Sequence, residues 1–132
     1  MDRQKLREYL QQEEAKTITG WDFSCLNGRI VSGSLPWDYS EIVKRYLKPV
    51  DMLLDMGTGG GEVLLTLGHP YALTTVTEGY PPNIRLCQER LSPLGIKVYA
   101  VADDTLPFED AAFDVVINRH ESYDESEVFR VL

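Results

Sequence analysis

The stretch that decides the fold runs from Val50 to Glu62, VDMLLDMGTGGGE. An apolar run, Met52-Leu53-Leu54, ends in an acid, Asp55, and a cluster of glycines follows at Gly57, Gly59, Gly60 and Gly61. A second apolar segment, Val63 to Leu67, comes next. A short apolar run closed by glycines and continued by a helix-compatible segment reads as strand, tight turn, helix. Glycine is required where the backbone takes positive φ or must approach a ligand without a Cβ in the way. Free N–H groups at the start of the following helix are then expected to face a ligand and favour a negative group on it. The stretch therefore predicts a nucleotide-type cofactor loop.

Working outward, the chain after Asp51 repeats this alternation. Strands are predicted at 52–55, 72–77 (ALTTVT, rich in β-branched residues), 96–101 and 113–118 (FDVVIN). Helices are predicted from about Gly60 to Leu67 and from Pro81-Pro82 to about Leu91, proline being tolerated in a first helical turn. Residues 125–132 begin a further helix, and 102–112 form a loop. Alternating strands and helices imply right-handed crossovers and a parallel sheet. Ligands of such sheets bind beyond the carboxyl ends of the strands. Asp55, Glu78, Asp103 and Asn118 all fall at those ends, which brings four polar residues to one edge.

Before Val50 the chain reads as an N-terminal helical cap, residues 1–49. Residues 2–15 form an amphipathic helix with Leu6, Tyr9 and Leu10 on one face, expected to dock on something else. Residues 17–36 are irregular, and Trp21, Phe23, Leu26 and Ile30 are expected to anchor them by burial; Trp21, Trp37 and Tyr39 are the alternative lining of an acceptor pocket, with core anchoring the preferred reading. A second helix is predicted from Ser40 to Leu47, ended by Pro49.

The 132 residues are enough for one domain. With 13 basic and 21 acidic residues the net charge is −8, which argues against an extended nucleic-acid surface or a grip on an anionic membrane. Cys25 and Cys87 have no metal spacing and read as small packing residues in a reducing compartment. No stretch approaches the roughly 20 apolar residues of a membrane span, and the charged N-terminus lacks a signal-peptide core. The expected location is cytoplasmic.

Several residues at the predicted site carry usable chemistry. Glu78 can accept hydrogen bonds from both hydroxyls of a ribose, and Tyr80 can cover an adenine face. Asp103 or Asp104 can accept from an exocyclic adenine amine, beside the apolar Leu106-Pro107-Phe108. Asn118-Arg119-His120-Glu121 is a polar cluster, in which His120 is either a general base or a histidine satisfied by its surroundings. His69, in a turn before Pro70, reads as structural. The glycine spacing is GxGxG, and Glu62 stands where a dinucleotide fingerprint wants a third glycine or alanine. A nicotinamide-dependent oxidoreductase is therefore the weaker enzyme reading.

At these residues the chain resembles the class I S-adenosylmethionine-dependent methyltransferases. LLDMGTGGGE resembles their first motif, and Glu78 the acid closing their second strand. DDTLPFEDAAFDVVIN is similar to the D-x-LPF-x-D-x-x-FD-x-V block of the small-molecule, ubiquinone/menaquinone-biosynthesis-type branch. EVFRVL resembles the helix that runs into K-PGG. The resemblance implies a Rossmann-like parallel sheet in the order 3-2-1-4, with the family's remaining strands missing from this chain. It implies S-adenosylmethionine as cofactor, S-adenosylhomocysteine as product and a small-molecule acceptor. Gly57, Thr58, Gly59 and Gly61 would approach the methionine end, with Asp55 placing its amino group. Glu78 would bind the ribose, with Tyr80 close by. Asp103 or Asp104 would bind adenine beside Leu106, and Asn118 would lie near the cofactor. His120 and Glu121 are the candidate bases where an acceptor has a proton to lose. An exposed fourth strand is an edge that a second copy could cover, giving a homodimer. A non-catalytic cofactor-binding fragment or regulatory module is the remaining reading.

Overall fold

The computed structural model describes residues 2–132. Two helices come first, α1 (Arg3–Glu14) and α2 (Tyr39–Tyr46), capped by the side chains of Asp2 and Asp38, which accept from backbone N–H groups of the first turn. The α/β part follows as β1 (Leu53–Met56), β2 (Thr74–Glu78), α3 (Pro81–Arg90), β3 (Lys97–Ala100), β4 (Val115–Asn118) and α4 (Glu125–Val131). The four strands form one parallel sheet in the order β3-β2-β1-β4, as the resemblance implied.

The central strand is buried along its whole length, which a parallel strand covered on both faces requires. Its alternation splits the core in two. Leu53 packs with Val43, Leu64, Leu67, Val76, Cys87, Leu91, Ile96 and Ile117 beneath α2 and α3. Leu54 and Met56 pack with Leu106, Phe113 and Val131 beneath α4. β3 and β4 are the two edges, and β4 is bonded to β1 alone among the described residues. No helix among the described residues is long and apolar enough to cross a membrane.

Two expectations change. The helix predicted from Gly60 to Leu67 is a single 3-10 turn, Leu64–Leu67. Gly61 at φ +79° and Gly68 at φ +68° take left-handed backbone at either end, so too few residues remain for a regular helix. The N-terminal anchoring is also only partly realised. Trp21 and Leu26 are half-buried, but Phe23 and Ile30 stay exposed, as do Leu6, Tyr9 and Leu10 of α1. The 17–36 segment is held by polar contacts instead, described below. Of the cysteines, Cys87 is buried and Cys25 exposed.

Candidate cofactor and acceptor site

The glycine loop lies at the carboxyl ends of β1 and β2, and its N–H groups are all used within the chain. Gly57 N and Thr58 N donate to Thr77 O at 2.9 and 3.4 Å, and Gly61 N donates to Thr58 O at 3.2 Å. Gly59 N donates to a Glu78 carboxylate oxygen at 2.8 Å, and Gly60 N to Glu62 at 2.9 Å. The expected row of free donors is absent from residues 57–61, and no α-helix follows them. These N–H groups are not free to cradle a phosphate.

What surrounds the loop is negative. Asp55 is buried beneath it, and burial pushes its carboxyl up to about 7; the Thr58 hydroxyl pulls it down, the Glu78 charge pushes it up and Arg119 pulls it down. That Thr58 hydroxyl is itself buried and makes no well-formed hydrogen bond. Glu78 is only 4% exposed; its second oxygen accepts from Gly79 N at 3.0 Å and Tyr80 N at 3.2 Å. Glu121 leans on Gly57 so closely that a Cβ there would collide with its carboxylate. Burial raises the Glu121 pKa, and the charges of Glu78 and Asp104 raise it further.

Three cavities meet around these groups. The first, of about 260 Å³, is lined by Gly57, Gly59, Glu78, Tyr80, His120 and Glu121, with Trp21 and Asn83 among its other walls. A small one of about 20 Å³ shares Gly57, Glu78 and Glu121 with it and reaches Asp103, Asp104 and Leu106. The third, of about 550 Å³, adjoins the first at His120 and is walled by Leu35, Trp37, Tyr39, Val63, Asn118 and Arg119. The predicted residues are thus largely brought together. Asp103 and Asp104 both line the small cavity: Asp103 also accepts from Thr105 N, and Asp104 from the Ser122 hydroxyl. Leu106 is buried. Asn118 bonds the backbone of Glu121 through both its amide atoms, shaping the turn that carries Arg119 and His120. Asp55, Thr58 and Gly61 line none of the three: Asp55 and Thr58 are buried beneath the loop, and Gly61 lies against Leu91, where a Cβ would come within 2.6 Å of that side chain. His69 is buried, with Nε2 2.8 Å from Asp51 O, as a structural histidine should be.

Residues outside the predicted set complete the site. Trp21 covers the glycine loop, its indole N–H donating to Thr58 O at 3.2 Å. Its strap is tied down by Gly20 N, which donates to Asn83 at 2.6 Å, and by Trp21 N, which donates to Glu62 at 3.4 Å. Glu62 also pairs with Arg90. Its place in the glycine motif was visible in the sequence, but its partners other than Gly60 come from 28 to 41 residues away and left no local signal. The Cys87 thiol donates to Gly59 O at 3.0 Å; burial and the charges of Glu78, Glu62 and Asp55 push its pKa up to about 12. It is a packing thiol.

A 3-2-1-4 parallel sheet with an acid-ringed glycine loop at its carboxyl edge defines a Rossmann-like domain of the class I methyltransferase type. Residues 54–131 match the family described as methyltransferase domain, and the chain belongs to it. Among curated proteins, it is 37% identical over 67 residues to the probable phthiotriol/phenolphthiotriol dimycocerosates methyltransferase 2 of Mycobacterium ulcerans (strain Agy99), covering 51% of this chain and 26% of that protein. It is 38% identical over 68 residues to the phthiotriol/phenolphthiotriol dimycocerosates methyltransferase of Mycobacterium leprae (strain TN), covering 51% of this chain and 25% of that protein. The match therefore spans about a quarter of the length of either relative.

Proposed function

We propose that this chain binds S-adenosylmethionine and serves methyl transfer to a small-molecule acceptor. The observation that carries this reading is the inverted polarity of the loop. Its N–H groups at 57–61 are consumed internally, while carboxylates from Asp55, Glu78 and Glu121 surround it. Such a site suits a cationic ligand without phosphates and opposes a pyrophosphate, which the nicotinamide reading needs.

The residues fit the group. The Thr58 hydroxyl is buried beside Asp55 with no well-formed hydrogen bond, and at Gly57 and Gly59 a Cβ would fill the cradle. When bound, S-adenosylmethionine supplies an electrophilic methyl on a positive sulfur and leaves as neutral S-adenosylhomocysteine. Asp55 takes the amino group, and Gly57, Thr58 and Gly59 lie along the methionine end. Glu78 holds the ribose, Tyr80 covers the base, and Asp103 or Asp104 receives the adenine amine over Leu106. Asn118 shapes the turn at the junction with the third cavity, where the acceptor sits. Holding the partners close and aligned does most of the work in an in-line displacement. His120, at the junction of the two larger cavities, is placed to take the proton of an acceptor that has one to lose, with Glu121 as the second candidate.

The test is calorimetric titration of S-adenosylhomocysteine into the chain and into Glu78→Ala. Charge-assisted hydrogen bonds contribute about 1.5–3 kcal/mol each, so the substitution should weaken binding at least tenfold. Equal affinities would remove Glu78 from the ribose site.

A further inference from the structure

Among the described residues, the third cavity holds the one Lys or Arg side chain that lines any of the three. Arg119 leaves β4 at its carboxyl end and lies over two aromatic rings, its guanidinium carbon 4.8 Å from the Trp21 centroid and 5.5 Å from that of Tyr39. The ion pairs among the described residues use Lys16, Arg29, Lys44, Arg90 and Arg130, and Arg119 enters none of them. Its charge is felt by the buried Asp55, but its N–H groups make no hydrogen bond among the described residues, and a guanidinium with free donors is the side chain that recognises a carboxylate in bidentate fashion. In a chain of net charge −8, an unpaired arginine beside the glycine loop is set against the general field.

The rest of the cavity says what accompanies the anion. Leu35, Trp37 and Val63 present apolar surface. Asp38 is the one carboxylate on the wall, and it is engaged as the cap of α2, accepting from Glu41 N at 2.9 Å. Its charge repels an anion from that side and leaves the Arg119 side as the place for one.

We propose that Arg119 selects the acceptor: a flat, largely apolar molecule bearing a carboxylate, which pairs with the guanidinium while the apolar body lies against Leu35, Trp37 and Val63. This rests on the reading of the third cavity as the acceptor site. Trp21 links the two halves, since one residue roofs the glycine loop through Thr58 and stacks under Arg119. An acceptor that binds Arg119 is thereby held next to the cofactor cavity, with His120, whose ring centroid is 5.5 Å from that of Trp21, between them.

The experiment compares 2-naphthoate with its neutral counterpart 2-naphthamide by titration, with and without saturating S-adenosylhomocysteine. The carboxylate should bind at least tenfold more tightly than the amide, and the preference should shrink as salt is raised. R119M should erase the preference while keeping a wild-type circular dichroism spectrum, and R119K should retain part of it. Equal binding of the two probes to the wild-type chain, no binding of 2-naphthoate, or a preference that survives R119M overturns the proposal. Failure of S-adenosylhomocysteine to bind counts against the cofactor reading alone, since the naphthoate comparison is also made without it.

Discussion

Replacing Gly59 by alanine probes how the N-terminal strap and the cofactor loop depend on each other. Gly59 has φ +70°, and a Cβ placed there lies 2.6 Å from the indole nitrogen of Trp21. Two costs follow. Left-handed backbone costs an L-residue about 1–2 kcal/mol. Displacing the indole breaks its hydrogen bond to Thr58 O, which contributes about 0.5–1.5 kcal/mol. Together G59A should lose about 1.5–3.5 kcal/mol in urea unfolding followed by far-UV circular dichroism. Gly28 separates the two terms: it has φ +78° with nothing within 4 Å of an added Cβ, so G28A should show the backbone cost alone. The sharper test is a double-mutant cycle with Trp21→Ala. If the indole is what the new methyl meets, G59A should be cheaper in the W21A background by about 0.5–1.5 kcal/mol. Costs that add to within about 0.3 kcal/mol would refute the contact between strap and loop.

Two other perturbations read the charges of the site. Asp55 ionises near its ordinary 3.8 when unfolded and at about 7 when folded, so its ionisation destabilises the fold progressively from pH 4 to pH 7 and by a constant amount above that. The total is on the order of 4 kcal/mol, and Asp55→Asn should remove it; parallel stability–pH curves for the two proteins would show that Asp55 is not the buried acid described here. Because a ligand ammonium requires the ionised carboxylate, S-adenosylhomocysteine affinity should rise with pH up to about 7 and flatten beyond it. Arg130 of α4 clamps the loop below the small cavity, donating to Phe108 O at 2.6 Å, Leu106 O at 2.9 Å and Asp110 at 3.0 Å while pairing with Glu127. Arg130→Met should speed amide exchange of Leu106 and weaken S-adenosylhomocysteine binding, and unchanged exchange would detach the clamp from the site. The bond to Arg130, the Leu106 N–H and the Arg130 charge lower the Glu127 pKa to about 2, so the clamp's contribution is present above pH 4.5 and fades as pH falls toward 2.

The sheet was legible because its signals are local. Met52-Leu53-Leu54 before Asp55, and the β-branched run before Glu78, mark buried parallel strands with an acid at or next to the carboxyl end, and both acids lie at the site. The loop's direction of polarity was not legible. Glycines announce unusual backbone, but whether their N–H groups stay free depends on Thr77 O, Glu78 and Glu62, and the first two of these come from another strand. Trp21 reads in isolation as an apolar anchor or a wall of an acceptor pocket; only the fold brings it to Thr58, 37 residues on, and under Arg119. Phe23 and Ile30 failed as anchors for a related reason, since apolar character does not say whether a surface exists to receive it. Arg119 drew no attention as an acceptor group because its meaning lies in the two rings beneath it.

The glycine loop is proposed as a seat for a cation and not for phosphates. The direct measurement is a pair of calorimetric titrations on the same protein at pH 7.5, one with S-adenosylhomocysteine and one with NAD, each repeated on Asp55→Asn. S-Adenosylhomocysteine should bind saturably, more weakly after the Asp55 substitution, and NAD should give no heat of binding. Binding of NAD with none of S-adenosylhomocysteine would contradict that role of the loop.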